Sequence, residues 1–330
     1  MNRLLACGMA LALSTLALAF LAGAPDARER ILEVCGSEKE RIDARDLPAT
    51  IGPGECPAGE RVIFDGPVAA VVPPSGESVY AEVLTTTGAQ TLSVGRAQDG
   101  TIRLNHVGEE PEEAFELGRA ANREGCRSSS FNNLAHKVVE TAPITYELNF
   151  ATAPRGLKRT AFRNATLRAA RNVFDTRNGC RMGDRVPASI RYGGKTGLRA
   201  QAGDGLCGQN DGRNVVAFGS LRRGVLALAC FNTQYRPAYE HDQITHADVE
   251  INRAGVRWTT KPNRRSCRKA YDVEGVMTHE WGHVFGLGHV AESGSRNLTM
   301  SPAINGPCQS AERSLGRGDV LGLDGKYPND

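Results

Sequence analysis

The chain of 330 residues lacks the features of several common protein classes. Its formal net charge is only +3 and 23% of its residues are charged, so it has no basic stripe of the kind that nucleic-acid binding requires. No two cysteines have the CxxC spacing of a thiolate zinc ribbon. There is no internal repeat and no low-complexity tract. We therefore expect a globular protein with no nucleic-acid partner.

The one long apolar run lies at the start of the chain. Arg3 precedes an apolar segment over residues 4–21, and small residues follow at Ala22 and Ala24. This arrangement is typical of a secretory signal peptide covering residues 1–24. An uncleaved anchor is the alternative, because the run approaches the roughly 20 residues that a membrane span needs. We expect a secreted protein with no stable membrane partner unless the leader is retained.

The cysteine content supports export. Removal of the leader takes away Cys7 and leaves eight cysteines, and an even set in an exported protein predicts disulfides. The sequence alone does not choose among the many pairings. The simplest hypothesis joins neighbours, which gives Cys35–Cys56, Cys180–Cys207, Cys230–Cys267 and Cys126–Cys308.

The composition divides the rest of the chain into two regions. Between residues 25 and 120, short apolar stretches such as 61–72 and 78–87 are separated by turn signals, which predicts a small β-rich unit. The acidic residues 108–125 indicate a linker or a short helix. A domain boundary near residue 120 follows from this change.

The second region, residues 121–330, has the element order of an α/β sandwich. Alternating apolar residues predict a strand over 144–150, and apolar residues at helical spacing predict a long helix over 158–175, with Phe162, Ala165, Ala169 and Val173 on its buried face. Strand, long helix, several strands and a second helix predict helices that cover a twisted sheet. Further strands are expected at 188–192, 214–220, 224–230 and 246–252.

The stretch HEWGHVFGLGH, residues 279–289, is the most informative part of the chain. In a helix that begins after Asp272, His279 and His283 lie one turn apart on the same face and can meet one metal ion. Gly286 allows the left-handed end that lets the chain turn. His289 can then return as a third ligand. A chance cluster of histidines is the alternative, and the length of the pattern disfavours it.

The same stretch supplies a base. Glu280 lies about 100° around the helix from His279, so it can approach a water molecule at the metal without binding the metal itself. Three histidines leave the fourth zinc position open, which is the arrangement of a catalytic site. The chemistry expected from a zinc-activated water with a carboxylate base is amide hydrolysis.

The full pattern HExxHxxGxxH resembles that of the metzincin zinc endopeptidases. The string NLTMSP after His289 places Met300 where that clan has its methionine turn, and the ending LGRGDVLGLDGKYP is most similar to the matrixin branch. The resemblance implies a metzincin-like α/β fold with a mixed sheet, a long helix, an active-site helix and a C-terminal helix. It also implies that an edge strand, which we place at 246–252, binds protein substrates in extended form. Residues 301–314 are then expected to form a wall of the specificity pocket.

Some matrixin features are missing from the sequence. His241 and His246 do not reproduce the structural zinc series, so we interpret both as surface or strand-end residues. Asp204 and Asp211 lie in an oxygen-rich loop that could hold calcium. No PRCGxPD string is present, and Cys126 is the nearest counterpart of the inhibitory cysteine. We expect any inhibition by residues 25–120 to work in another way.

The sequence therefore predicts a secreted, monomeric zinc metalloendopeptidase that acts on extended protein or peptide substrates. Its ligands would be His279, His283 and His289, with Glu280 as general base. An exported binding or adhesion protein on an inactive scaffold is the alternative. For residues 25–120 we predict a propeptide released by cleavage between about 105 and 130, because exposed linkers are preferred sites of nicking. A permanent accessory domain is the other reading.

Overall fold

The computed structural model describes most of the chain beyond the leader. The predicted signal peptide and nearly all of the acidic stretch lie outside the described residues. Those residues are 35, 41–56, 61–108, 125–140, 142–183, 186–208, 210–235, 241–290, 297–304 and 306–328.

The described residues form three α-helices and 18 strands. The helices are α1 (Arg159–Phe174), α2 (Val273–Val284) and α3 (Arg317–Lys326). The strands before residue 120 are β1 (Arg41–Asp43), β2 (Thr50–Ile51), β3 (Val62–Asp65), β4 (Val68–Val71), β5 (Glu77–Thr85), β6 (Ala89–Arg96) and β7 (Ile102–Gly108). The later strands are β8 (Asn132–Asn133), β9 (His136–Lys137), β10 (Ile144–Leu148), β11 (Ile190–Lys195), β12 (Leu206–Cys207), β13 (Val215–Gly219), β14 (Val225–Gln234), β15 (Asp242–Asn252), β16 (Trp258–Thr259), β17 (Tyr271–Asp272) and β18 (Leu287–Gly288).

One large mixed sheet organises the molecule. Its order is β11-β10-β13-β15-β14-β5-β6-β7-β2, and β9 pairs with the start of β15. Strands β10, β11, β13 and β15 run parallel, whereas β14 is antiparallel to β15. The α/β fold class with a long helix, an active-site helix and a C-terminal helix is confirmed, as is the β-rich N-terminal part.

The sheet continues across the boundary predicted near residue 120. Strand β5 pairs with β14 along its whole length, from Glu77 opposite Gln234 to Thr85 opposite Val225. The N-terminal strands also share a core with later residues, since Ile63 and Val79 belong to the same buried cluster as Cys230. The two regions are therefore packed against each other along a common sheet.

The prediction that residues 246–252 form an edge strand is wrong. They belong to β15, which pairs with β13 on one side and β14 on the other. The apolar alternation of this segment identifies a strand but does not locate it in the sheet, because the order of strands depends on pairing between distant parts of the chain.

Helices α1 and α2 pack on one face of the sheet. The four predicted apolar residues of α1 are buried, and Phe162 contacts Phe218 of β13 with ring centroids 5.0 Å apart. From α2, Trp281 packs against Tyr146 of β10 at 5.1 Å. The Trp281 contact positions α2 on the sheet, and α2 carries two of the predicted metal ligands.

Four disulfides join the eight described cysteines. Only the predicted Cys35–Cys56 bond is present. The other three predicted pairings are wrong, because the fold and not the distance in sequence brings sulfur atoms together. The bonds found are Cys126–Cys180, Cys207–Cys230 and Cys267–Cys308. This density of disulfides is typical of an extracellular protein.

Each helix in the described part of the chain is too short or too polar to cross a bilayer.

Candidate metal centre

Helix α2 begins and ends as its sequence predicts. The Asp272 carboxylate accepts a hydrogen bond from the Gly275 backbone N–H at 2.9 Å, which caps the first turn. Asp272 is itself held by Arg313 through two hydrogen bonds of 2.6 Å. At the other end Gly286 has a φ of +89°, and its N–H bonds to the His283 carbonyl oxygen. The chain can therefore reverse direction and bring residue 289 back to the helix.

The three predicted histidines converge. The Nε2 atom of His279 lies 3.0 Å from that of His283 and 3.2 Å from that of His289. A tetrahedral zinc ion with zinc–nitrogen distances of about 2.0–2.1 Å separates its ligand nitrogens by about 3.3 Å. Of the described residues, these three form the group with metal-binding geometry.

The other ring nitrogens show which atoms are free to bind a cation. His279 Nδ1 lies 2.7 Å from the Thr299 carbonyl oxygen, and His283 Nδ1 lies 2.9 Å from that of Leu287. A carbonyl oxygen only accepts, so each Nδ1 carries the proton and each Nε2 presents a lone pair. Burial lowers the pKa of His279 to about 4, which keeps it neutral at physiological pH. Lone pairs that face each other at this distance repel unless a cation lies between them, so the donor set fits zinc.

Glu280 follows His279 in α2 and is a buried carboxylate. It has no exposed surface, and neither carboxylate oxygen has a hydrogen-bond partner in the described part of the chain. Burial raises the pKa of Glu280 well above its ordinary value, and the nearby carboxylate of Glu82 raises it further. A buried carboxylate with two free oxygens next to a metal-binding group is suited to accept and return a proton.

Met300 lies directly beneath α2, in a tight turn. Its sulfur occupies the space that a side chain at Gly282 would fill, since an added Cβ would lie 2.3 Å from the Met300 Sδ atom. The Met300 carbonyl oxygen accepts from the Val290 N–H at 3.1 Å, which ties the turn to the segment after His289. Met300 thus packs against α2 at Gly282, and its role as structural support of the site stays a prediction.

Asp319 of α3 holds this turn and was missed by the sequence analysis. Its carboxylate accepts hydrogen bonds from the backbone N–H groups of Thr299, Gly316 and Met300, at 2.7, 2.8 and 3.2 Å. Asp319 lies three residues after Gly316, the N-cap position of α3, and this spacing could have indicated a capping carboxylate. Its contact with the methionine turn depends on the fold.

The N-terminal region contributes to the same site, which the sequence also did not reveal. Glu82 of β5 is buried, and its Oε2 lies 3.7 Å from His289 Nδ1. Thr91 of β6 donates to this carboxylate at 2.5 Å and lies 3.5 Å from the same ring nitrogen. Burial raises the pKa of Glu82 to about 8. The third histidine is therefore flanked by two polar side chains from the N-terminal hairpin.

His136 is a further buried group near the centre. Its Nε2 lies 2.9 Å from the His283 carbonyl oxygen, and its ring packs against Phe231 at 4.6 Å. Burial lowers the pKa of His136 to about 3, so it is neutral and its Nε2 donates. It therefore supports the C-terminal turn of α2 through the His283 carbonyl oxygen.

The remaining candidates lie elsewhere. His246 is buried within β15, 3.3 Å from Asp211 and 3.5 Å from Asp248, so its assignment to the surface is wrong. The central position of β15 explains this burial. Asp204 adopts a positive φ of +56° in a short turn. Calcium binding by Asp204 and Asp211 stays a prediction.

Comparisons with known proteins agree with this geometry. Residues 222–328, about one third of the chain, match the matrixin family of peptidases. Among curated proteins no sequence matches the chain. The matched segment contains β14, β15, α2, the Met300 turn and α3. The resemblance to the matrixin zinc endopeptidases is therefore confirmed for this segment, and its histidine triad has a geometry suited to zinc.

Proposed function

We propose that this protein is a secreted zinc endopeptidase in which His279, His283 and His289 bind the metal and Glu280 is the general base. The convergence of three Nε2 atoms beside a buried, unpaired carboxylate carries the proposal. The matrixin match over residues 222–328 supports peptide substrates. The four disulfides support an extracellular location.

The side chains divide the chemistry among them. Zinc, when bound, would lower the pKa of water and polarise a substrate carbonyl. Glu280 would accept a proton from the attacking water and return it to the nitrogen of the departing amine. Thr299 and Leu287 keep the first two imidazoles in the correct tautomer through their carbonyl oxygens.

The test compares three variants of protein isolated from culture medium. Glu280→Gln keeps the shape of the side chain but removes the base, so zinc should remain at one ion per chain while hydrolysis of unfolded casein falls by about 100-fold or more. His283→Ala should lose both zinc and activity, because the ligands converge on one ion. Glu140→Gln changes an exposed carboxylate and should leave both unchanged.

Unchanged hydrolysis by Glu280→Gln would refute the role of Glu280. A zinc-loaded protein that cleaves nothing, in any of its processed forms, would favour the alternative of a binding or adhesion protein on an inactive scaffold. Mass spectrometry of the secreted species would at the same time show where the leader is removed.

A further inference from the structure

Strand β14 lies where the parallel part of the sheet meets the N-terminal strands. One edge of β14 pairs with β15, and the other faces away from the parallel part of the sheet. A free strand edge next to a peptidase site can bind an extended peptide through backbone hydrogen bonds. In this structure that edge is fully used, because β5 runs antiparallel to it from Glu77 to Thr85.

The side chains of β5 that point toward the helices enter the site itself. Tyr80 stacks on Phe231 of β14 at 5.1 Å. Two residues on, Glu82 lies beside His289. Two residues further, Leu84 is 1% exposed and packs in a cluster with Val276 of α2. Strand β5 therefore passes the metal centre with one carboxylate beside His289 and one aliphatic side chain in the cluster that includes Val276 of α2.

The segment after Met300 contacts the end of β5. Thr85 forms a parallel bridge with Ala303, three residues after Met300. Ile304 of the same segment packs on the cluster that contains Leu84. Residues 301–314 are the segment expected to line the specificity pocket. An extended chain that lies between β14 and this segment occupies the place where a substrate peptide would bind.

The occupied groove leaves the centre closed. Glu280 has no exposed surface, and the His289 side chain is 8% exposed. A protein substrate needs its scissile bond beside Glu280, and β5 stands in that path. Hydrolysis of an added substrate therefore requires β5 to move.

The pattern of disulfides permits such movement. One bond lies wholly before residue 109, and three lie wholly after residue 125. No disulfide between described residues joins the two regions. A single cut within 109–124 would leave the N-terminal region attached only by non-covalent contacts.

We propose that β5 is an internal occupant of the substrate groove, with Leu84 in the side-chain pocket and Glu82 against His289, and that the intact chain is latent until this strand is released. The proposal rests on the proposed function, since it concerns access to the same site. It assigns the blocking role to a strand and a carboxylate, whereas Cys126 is bonded to Cys180 and is not a free thiol.

The experiment uses the full chain with a recognition site for a specific protease introduced within residues 109–124. Two quantities are measured before the cut and after separation of the N-terminal region. One is hydrolysis of unfolded casein, and the other is the rate at which 1,10-phenanthroline removes zinc. We expect both to rise by about tenfold or more on release. Circular dichroism checks that the released C-terminal region stays folded.

Uncut variants provide a second test that needs no release. Leu84→Ala removes a buried side chain from the groove and should raise both rates in the intact chain. Leu104→Ala removes an equal side chain from β7, away from the groove, and should change neither. If the released region unfolds, this pair decides the question.

The outcomes separate the two proposals. Equal hydrolysis and equal zinc removal before and after the cut, with no effect of Leu84→Ala, would overturn the blocking role and leave the peptidase proposal intact. Faster zinc removal without any hydrolysis would support occupation of the groove and refute the peptidase. An active intact chain whose zinc is removed as fast as after the cut would likewise overturn latency.

Discussion

The carboxylate of Asp319 supports the metal centre from below, and its removal gives a sharp test. It accepts three backbone hydrogen bonds, from Thr299, Gly316 and Met300. The Thr299 carbonyl oxygen in turn accepts from His279 Nδ1 at 2.7 Å. Asp319 therefore positions the candidate metal ligand His279 through one intervening residue, and Asp319→Ala should affect both stability and zinc binding.

The size of the loss of stability follows from the backbone N–H groups that lose their acceptor. Asp319→Ala leaves three N–H groups without this acceptor, and a buried unsatisfied donor costs about 1–3 kcal/mol. Allowing for partial relaxation, we expect the free energy of unfolding to fall by about 3–5 kcal/mol. Burial raises the pKa of Asp319 to about 6, so the carboxylate is ionised at pH 8 and the comparison should be made there. Loss of ligand support should weaken zinc binding by about 10–100-fold.

The assay is urea unfolding followed by tryptophan fluorescence, with zinc affinity measured by competition with a chelator. Trp281 lies in α2 and has no exposed surface, so it reports on the site. Asp99→Ala is the control, because it removes a carboxylate with one exposed backbone hydrogen bond, to Thr101. It should cost less than about 1 kcal/mol. A loss below about 1 kcal/mol in Asp319→Ala would refute the argument, and unchanged zinc affinity would refute the link through Thr299.

Three further predictions concern single positions. Gly286→Ala would place a Cβ 2.4 Å from the His136 carbonyl oxygen at a φ of +89°. Urea unfolding should therefore show that the free energy of unfolding falls by about 2 kcal/mol or more. Gly197→Ala is the control, because Gly197 has open space around it, and it should change this free energy by less than about 0.5 kcal/mol. Burial lowers the pKa of Lys326 from 10.5 to about 8. Folding therefore releases a proton between these two pH values, so the free energy of unfolding rises with pH across this window. Lys326→Met should show a smaller rise in its urea midpoint, and a pH dependence identical to that of the unchanged protein would contradict this. Leu84 lies in a buried aliphatic cluster. The released enzyme should therefore cleave peptides with leucine in that pocket about tenfold or more faster than peptides with aspartate there. Equal cleavage rates for the two in a peptide library would exclude an aliphatic pocket.

Features encoded over a few residues could be predicted from the sequence. Helix α2, its cap at Asp272 and its end at Gly286 depend on local backbone preferences, and the structure has them where the sequence places them. The i, i+4 spacing of His279 and His283 brings their Nε2 atoms together for the same reason. Local geometry thus determines most of the candidate ligand set.

Features that depend on distant pairing could not be predicted. Cys207 and Cys230 are bonded because β12 and β14 bring them into one buried cluster. The central position of β15 depends on which strands meet at its two edges. Neither feature can be read from the residues concerned. When both faces of a sheet are covered, an edge strand and a central strand have the same apolar pattern.

Glu82 lies between these two cases. Its neighbours Ala81 and Val83 are buried on one face of β5, and Leu84 is buried on the other, so the strand has apolar contacts on both sides. A carboxylate within such a strand is costly to bury unless it meets a partner. Its Oε2 has Thr91 and the ring of His289, while its Oε1 has no hydrogen-bond partner in the described residues. The sequence therefore contained a local conflict, and such conflicts concentrate at functional sites. The partner that explains it lies more than 200 residues further along the chain, in the third histidine of the predicted metal site.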